Sequence, residues 1–548
     1  MLGGGVSNAR PPVCGALAEA RQGLPVNRET PYDAPAQVRG HVHMLRNFRV
    51  ATLALLAVTA SMPSWGQGQP APTYSAKVPP YITTPDTVDT RIGTLKFFDG
   101  LPDTATVQKV YDNLDFGRGV EAFLSGMPAA SIYAICEGLS QAGMKRNGGI
   151  GITENLMDAR TLMLTPQTTT PYVFMCLDLK DGPMVVDVPP GVLGPVDDAF
   201  SRYVTDFGFT GPDQGKGGKY VFVPPGYTGH IPSQDYFVVK PRTYSNLIFY
   251  RAFVQGGDIA AAVNGVKAKA RVYPLTAASN PPSSTFVNTS GMQFNTIHAN
   301  TFEFYGELNA VIQHEPSDAF DPEIVGLLAS IGIKKDKPFG PDDRMKGILT
   351  DAVAVANATA RAIVFAPRDE RVKFYPDRQW GTPFIGGSYE FLNNGERMLD
   401  ARSLFHYYAA GITPAMAYSK PGTGSAYAYA ARDSMGRYLD GGKTYKITLP
   451  APIPAAQFWS FMVYDGQTRS ILETDQKLAG LDSNREGIKK NSDGSVTVWF
   501  APKAPAGQEA NWVQTMPGKG WNSLLRLYAP LDPWFDKTWK PGDFERVD

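Results

Sequence analysis

Residues 172–189 read YVFMCLDLKDGPMVVDVP. The run 172–179 is aromatic, β-branched and apolar, with the length of a strand. Asp181-Gly182 supplies a turn, 184–188 returns as the partner strand, and Pro189-Pro190 ends it. A β-hairpin is therefore expected here. Further short strands are expected at 201–208, 219–223, 236–239 and 246–253, a spacing that fits a sandwich or a barrel.

Working outward, 103–147 carries helical periodicity in two runs, with Thr104 or Thr106 as the cap. Val110, Leu114, Val120 and Phe123 belong to the first run, and Ile132, Ile135 and Leu139 share a face in the second. Helical spacing returns at 301–314, 321–331 and 342–365, the last capped by Asp342 or Asp343. Strand patterns resume at 443–449, 458–464, 495–500 and 524–528, with Asp493-Gly494 as a hairpin signal. The expected fold is multidomain α and β: an N-terminal antiparallel β barrel or sandwich, a helical middle and a jelly-roll-like C-terminal β-sandwich. The expected parts are 91–280, 281–400 and 401–548. The 55 Gly and 45 Pro in 548 residues fit many short strands joined by turns.

The N-terminal region reads differently. In 44–67, Arg46 and Arg49 precede an apolar run from Val50 to Ala60, followed by Ser61, Pro63, Ser64 and Gly66. That is the pattern of a signal peptide, too short to span a bilayer, with cleavage near Gly66. Export to the periplasm or beyond is the expectation, with Met44 as the true start and 1–43 as a non-native leader. Residues 68–90 are rich in Pro and Thr and read as a linker or arm. Two cysteines, Cys136 and Cys176, lie in the mature region, where a disulfide and two buried free thiols stand as equal alternatives.

Lys plus Arg and Asp plus Glu number 52 each. Without a basic excess to displace counterions, nucleic acid is not an expected partner. No Walker A, G-x-S-x-G, H-E-x-x-H or C-x-x-C motif occurs. The glycine-rich run 211–218 reads as a turn. No two histidines of the mature region have metal-ligand spacing, so no metal is expected, and the cofactor is left open. The expected partner is a small or glycan-like molecule, with a homo-oligomer also in view. No membrane-spanning helix is expected.

Two sets of residues resemble known families. The run 172–189 and Arg202-Tyr203-Val204-Thr205-Asp206 resemble the first half of bacterial domain-of-unknown-function family 1254. The C-terminal part resembles its usual companion, family 1214, through Phe458-Trp459-Ser460 with Tyr464-Asp465, Asp493-Gly494-Ser495, Ala510-Asn511-Trp512 and Leu525-Arg526-Leu527-Tyr528. The resemblance spans about residues 90–545. It implies an all-β domain, a helical middle and a C-terminal β-sandwich, and it brings no settled activity. Members often carry an Asn/Asp-rich stretch before the matching tyrosine. Thr168-Thr169-Thr170 stands there in this chain, so no carboxylate role is expected for that loop.

Candidate site residues follow from the strands. Arg202 and Asp206 are four apart, and period two places both on one face. A paired acid and base lining a cleft suits acid–base work, and Tyr172 sits nearby in the expected hairpin sheet, so these three are the candidate catalytic residues. Structural ion pairing is the alternative. Arg251 at a strand centre wants a carboxylate, with Asp206 as one option. Asn511 and Trp512 read as a loop platform for a sugar or small ligand, or as a plug on a sandwich core. Arg526 alternates with Leu525 and Leu527, so it points away from them, toward a ligand anion or toward solvent. The expected function is an exported hydrolase or lyase acting on a small or glycan-like substrate in a β-domain cleft. The alternative is a non-catalytic ligand-binding or envelope structural protein.

Overall fold

Strand Tyr172–Asp178 lies inside a six-stranded sheet, hydrogen-bonded to Ser245–Ala252 on one side and Gly149–Ile152 on the other. The full order in that sheet is Thr285–Asn288, Gly149–Ile152, Tyr172–Asp178, Ser245–Ala252, Val192–Asp198 and Tyr203–Gly208. The expected hairpin does not form. Strand Met184–Val188 belongs to a different, four-stranded sheet, between Gly218–Phe222 and Arg271–Pro274. The reason is burial on both sides. Six of the seven residues of Tyr172–Asp178 are buried, so it needs covering on two faces. Met184–Val188 crosses over to supply one cover, and Val173, Met175, Val186, Tyr220, Phe222 and Ile248 share the resulting core.

This computed structural model describes residues 77–548. The readings placed on 1–43 and 44–67 lie outside the described residues. Of the expected arm, Thr87–Thr90 is a strand that pairs with Gly93–Phe98 in a small three-stranded sheet. Residues 79–548 form one compact unit. It is a mixed α/β structure with eight α-helices among the described residues, and none of the sheets closes into a barrel. Parallel pairings, such as Gly149–Ile152 with Thr285–Asn288, make the N-terminal sheets mixed rather than antiparallel throughout.

The two expected N-terminal helical runs are one helix, α1 (Thr104–Gln141), which carries Pro128 inside it. Its cap is Asp103, not a threonine: the Asp103 carboxylate accepts the Thr106 N–H at 2.7 Å. Five further helices are α2 (Ile259–Lys269), α3 (Glu303–His314), α4 (Pro322–Ser330), α5 (Asp343–Phe365) and α6 (Leu399–Tyr408). Asp321 caps α4 and Asp342 caps α5, each through its side chain. Cys136 on α1 is disulfide-bonded to Cys176 in the six-stranded sheet, with Cα atoms 5.8 Å apart. Helices α1 and α5 are long and apolar enough to cross a membrane, and 78% of the apolar window of α1 is buried within the protein.

Two further four-stranded sheets make up the C-terminal part. One has the order Ser425–Ala430, Trp521–Pro530, Ala455–Asp465 and Gly480–Asp482, and the other Trp512–Gln514, Val496–Ala501, Tyr445–Leu449 and Glu545–Arg546. Asp493-Gly494 makes a turn as expected, yet the antiparallel partner of the following strand is Tyr445–Leu449. All ten residues of Trp521–Pro530 are buried. Leu525 and Leu527 face the core between these two sheets. The opposite face, with Leu524 and Arg526, looks toward the six-stranded sheet.

Candidate functional site

A cavity of about 120 Å³ lies where the six-stranded sheet meets the face of Trp521–Pro530. Tyr172, Phe174, Asp206, Phe249 and Arg251 come from the first sheet, and Ser425, Tyr427 and Arg526 from the second. The loop 164–167 and the segment after α6, 409–416, complete the walls. The lining is mostly apolar, with a few convergent polar groups, the usual make-up of a small-ligand site.

Arg526 is the most informative of them. It is 4% exposed and pairs with no carboxylate within 4.0 Å among the described residues. Its Nη2 donates to the Thr165 carbonyl at 2.8 Å, while Nη1 has no partner. Tyr464 and Tyr427 stand with ring centroids 5.9 Å from its guanidinium. Arginine stays charged in proteins, and a buried charge without a counterion is costly unless something else answers it. Arg251 adds a second cation to the same walls. It donates to Ser425 Oγ at 3.2 Å and lies over the Tyr528 ring, rather than pairing with Asp206 as the strand pattern suggested.

Asp206 and Tyr172 reach this cavity too. Asp206 is 2% exposed, and its Oδ2 accepts from the Thr413 hydroxyl at 2.8 Å. Burial pushes its carboxyl above the ordinary range, against the opposing pull of the Thr210 and Thr413 hydroxyls. The Tyr172 oxygen accepts the Gln167 N–H at 3.1 Å, and burial raises its phenol to about 12, with Arg526 opposing. Asp197 holds the same segment from another side: its Oδ2 accepts the Ile412 N–H at 2.8 Å, and burial raises its carboxyl as well.

Arg202 is not part of this group. A bulge separates it from Asp206: Asp197 pairs with Tyr203 and Val196 with Thr205, leaving Val204 as an extra residue. One inserted residue reverses the alternation, so the period-two count fails across it. Arg202 instead donates from Nε to Asp198 Oδ2 at 2.7 Å, with Nη2 at ion-pair distance from the same oxygen, and its Nη1 donates to the Ala319 carbonyl at 2.8 Å. It lines a separate open cleft of about 1460 Å³, on the side of α1, α4 and α6.

Asn511 and Trp512 line neither the cavity nor the cleft. The Asn511 side chain bonds Lys489 N and O and the Thr497 carbonyl at 2.8–2.9 Å, clamping three segments together. The Trp512 indole N–H donates to the Ala501 carbonyl at 2.9 Å. Sequence reasoning missed Thr413, Ser425 and Tyr427. Thr413-Pro414 reads locally as a helix start, which it is, since Thr413 Oγ1 also accepts the Ala415 N–H. Nothing local announces its bond to Asp206, 207 residues away. Among the described residues no group of three or more His, Cys, Asp and Glu could hold a metal ion.

Two family models of unestablished role match separate parts of the chain. Residues 150–274 match the protein of unknown function DUF1254, and residues 424–532 match the protein of unknown function DUF1214. The cavity walls draw on both matched regions. Among solved structures, the chain is similar to a protein from Vibrio parahaemolyticus at 16% identity and a TM-score of 0.49, covering 79% of this chain and 100% of that one. It is also similar to an uncharacterized protein from Burkholderia cenocepacia at 12% identity and a TM-score of 0.35, covering 81% and 97%. No curated protein matches the chain.

Proposed function

We propose that this is an exported ligand-binding protein whose inner cavity takes a small organic carboxylate with an apolar body. The observation that carries the reading is Arg526, buried on an apolar wall with Nη1 unpartnered and no carboxylate in ion-pair reach. A ligand carboxylate would supply the missing counterion, and the planar fork of arginine suits it. Size narrows the choice. A cavity of roughly 150 Å³ admits benzene, so about 120 Å³ suits an acid built on one small ring or a short chain.

The test is thermal unfolding of the full chain with benzoate, and with benzamide as the uncharged match. Benzoate at 100 times its Kd should stabilise by about 2.7 kcal/mol. Benzamide should do little, and Arg526→Met should lose the benzoate effect. Equal stabilisation by both compounds would defeat the reading.

A catalytic reading also has an observation behind it. Asp206, whose carboxyl burial raises, and Tyr172 share the cavity, so two groups that exchange protons line the wall where a carboxylate derivative would bind. A hydrolase or lyase would rest on those two, without Arg202. Turnover of a small ester that disappears in Asp206→Asn would favour it over simple binding.

Export is supported by the signal-like segment 44–67 and by the Cys136–Cys176 bond, which suits an oxidising compartment. N-terminal sequencing of the secreted form should begin near Gly66, and a chain starting before residue 44 would overturn this. The same proposal reads α1 as a core helix rather than a membrane span. It also keeps a β part to 280, a helical middle to 400 and a jelly-roll-like sandwich after it, since each sheet pair has its own core.

A further inference from the structure

The open cleft holds a second set of unanswered polar groups, chemically unlike the first. Arg402 and His406 lie one turn apart on α6, and both line it. His406 is 2% exposed, and its Nδ1 lies 2.9 Å from the Arg402 carbonyl. A carbonyl only accepts, so Nδ1 carries the proton and Nε2 is left as an acceptor. That Nε2 has no partner. Arg402 Nη2 donates to Ser125 Oγ at 3.1 Å, and Ser125 in turn donates to Glu121 at 2.7 Å. Arg402 Nε, a donor, has no partner. One helix turn thus carries an unpaired donor and an unpaired acceptor, on two residues that line the cleft.

An anion is not what this pair calls for. Glu121 is already coupled to Arg402 through Ser125. Basic and acidic side chains both line the cleft, among them Arg202, Lys240 and Arg397 and Asp198, Asp321 and Glu323. No single-sign field is built there. Neighbouring hydroxyls fit better, one accepting from Arg402 Nε and the other donating to His406 Nε2. Aromatic rings complete the setting: Tyr203 and Tyr389 stand edge to face at 5.6 Å, and Phe391 packs against His406 at 5.4 Å. Such faces stack on the C–H surface of a sugar ring. At about 1460 Å³ the cleft exceeds the roughly 300–1,000 Å³ of an ordinary small-ligand pocket.

We propose that the cleft is a second binding site, for an uncharged oligosaccharide whose vicinal hydroxyls bridge Arg402 Nε and His406 Nε2. The test is a glycan array of neutral and acidic oligosaccharides probed with the full chain, followed by calorimetry on the best neutral hit. Neutral glycans should bind. Arg402→Met and His406→Phe should each weaken the best hit at least tenfold, with folding checked by circular dichroism. His406→Gln, which keeps an acceptor, should lose less than His406→Phe. If the variants fail to fold, the array pattern of the parent decides. No neutral hit, hits confined to acidic glycans, or equal losses for His406→Gln and His406→Phe would each overturn the proposal.

Discussion

The inner cavity and the open cleft both display an arginine, and the two arginines are in opposite states. Arg202 at the cleft has a counterion: Asp198 accepts from its Nε and lies 2.7 Å from Nη2, and the Ala319 carbonyl accepts from Nη1. Arg526 in the cavity is buried more deeply, with one backbone carbonyl at 2.8 Å and a free Nη1. An arginine paired with a carboxylate ties its strand to its neighbours. One without a counterion in an apolar hollow is the group we propose to receive a ligand carboxylate. The sequence offered Arg202 as a candidate catalytic residue and Arg526 as a candidate ligand-binding one.

That contrast can be broken most directly at the cavity. Arg526→Met should weaken benzoate by at least 100-fold, about 3 kcal/mol, measured by calorimetry. The same change should leave the melting temperature of the ligand-free protein unchanged or raised, because replacing a buried ion by an apolar side chain is often neutral or stabilising. A large fall in that temperature would make Arg526 a strut as well.

Arg202→Met should do the reverse. It strands the buried Asp198 carboxylate and should destabilise by about 3 kcal/mol in urea unfolding. Benzoate affinity should not change in the folded fraction. If Arg202→Met instead removed benzoate binding with stability intact, the division between cavity and cleft would fall.

The histidines behind the cleft sharpen the comparison through pH. Burial pushes His298 to about 4 and His406 to about 3, both below the ordinary 6.5. The unfolded chain then takes up protons first as pH falls. Their contribution is whole above about pH 7 and is lost between 6.5 and the depressed folded values. His406→Phe should therefore lose up to about 2 kcal/mol less than the parent between pH 7 and pH 5, read from urea midpoints. Parallel curves for the two proteins would show that His406 is not buried in a neutral state.

The smallest effect is expected at the cavity wall. Burial raises the Asp206 carboxyl above 3.8, so the folded protein holds that proton more tightly than the unfolded chain does. Parent stability accordingly falls as pH rises through the window from 3.8 to the raised value, and stays lower above it. Asp206→Asn carries no such penalty and keeps an acceptor for Thr413. Its melting temperature should exceed the parent's at pH 7, with the gap closing near pH 3. A gap that persists at pH 3 would mean the gain is unrelated to ionisation.

Local chemistry settled the elements whose partners are near in sequence. The caps at Asp321 and Asp342, the turn at Asp493-Gly494 and the opposition of Arg526 to Leu525 and Leu527 all follow from a few consecutive residues. Period was also enough to place the helical segments at 301–314, 321–331 and 342–365. Tertiary structure alone decided three other things. It sent Met184–Val188 to a second sheet, because Tyr172–Asp178 needs cover on both faces. It put a bulge at Val204, which turned Arg202 and Asp206 apart. It joined Cys136 to Cys176 and brought Arg526 to Tyr172, pairs separated by 40 and 354 positions in the chain. Sequence periodicity reports which face a side chain occupies relative to its neighbours. What waits on that face is set by sheets and helices packing from hundreds of residues away, and a single inserted residue is enough to exchange one face for the other.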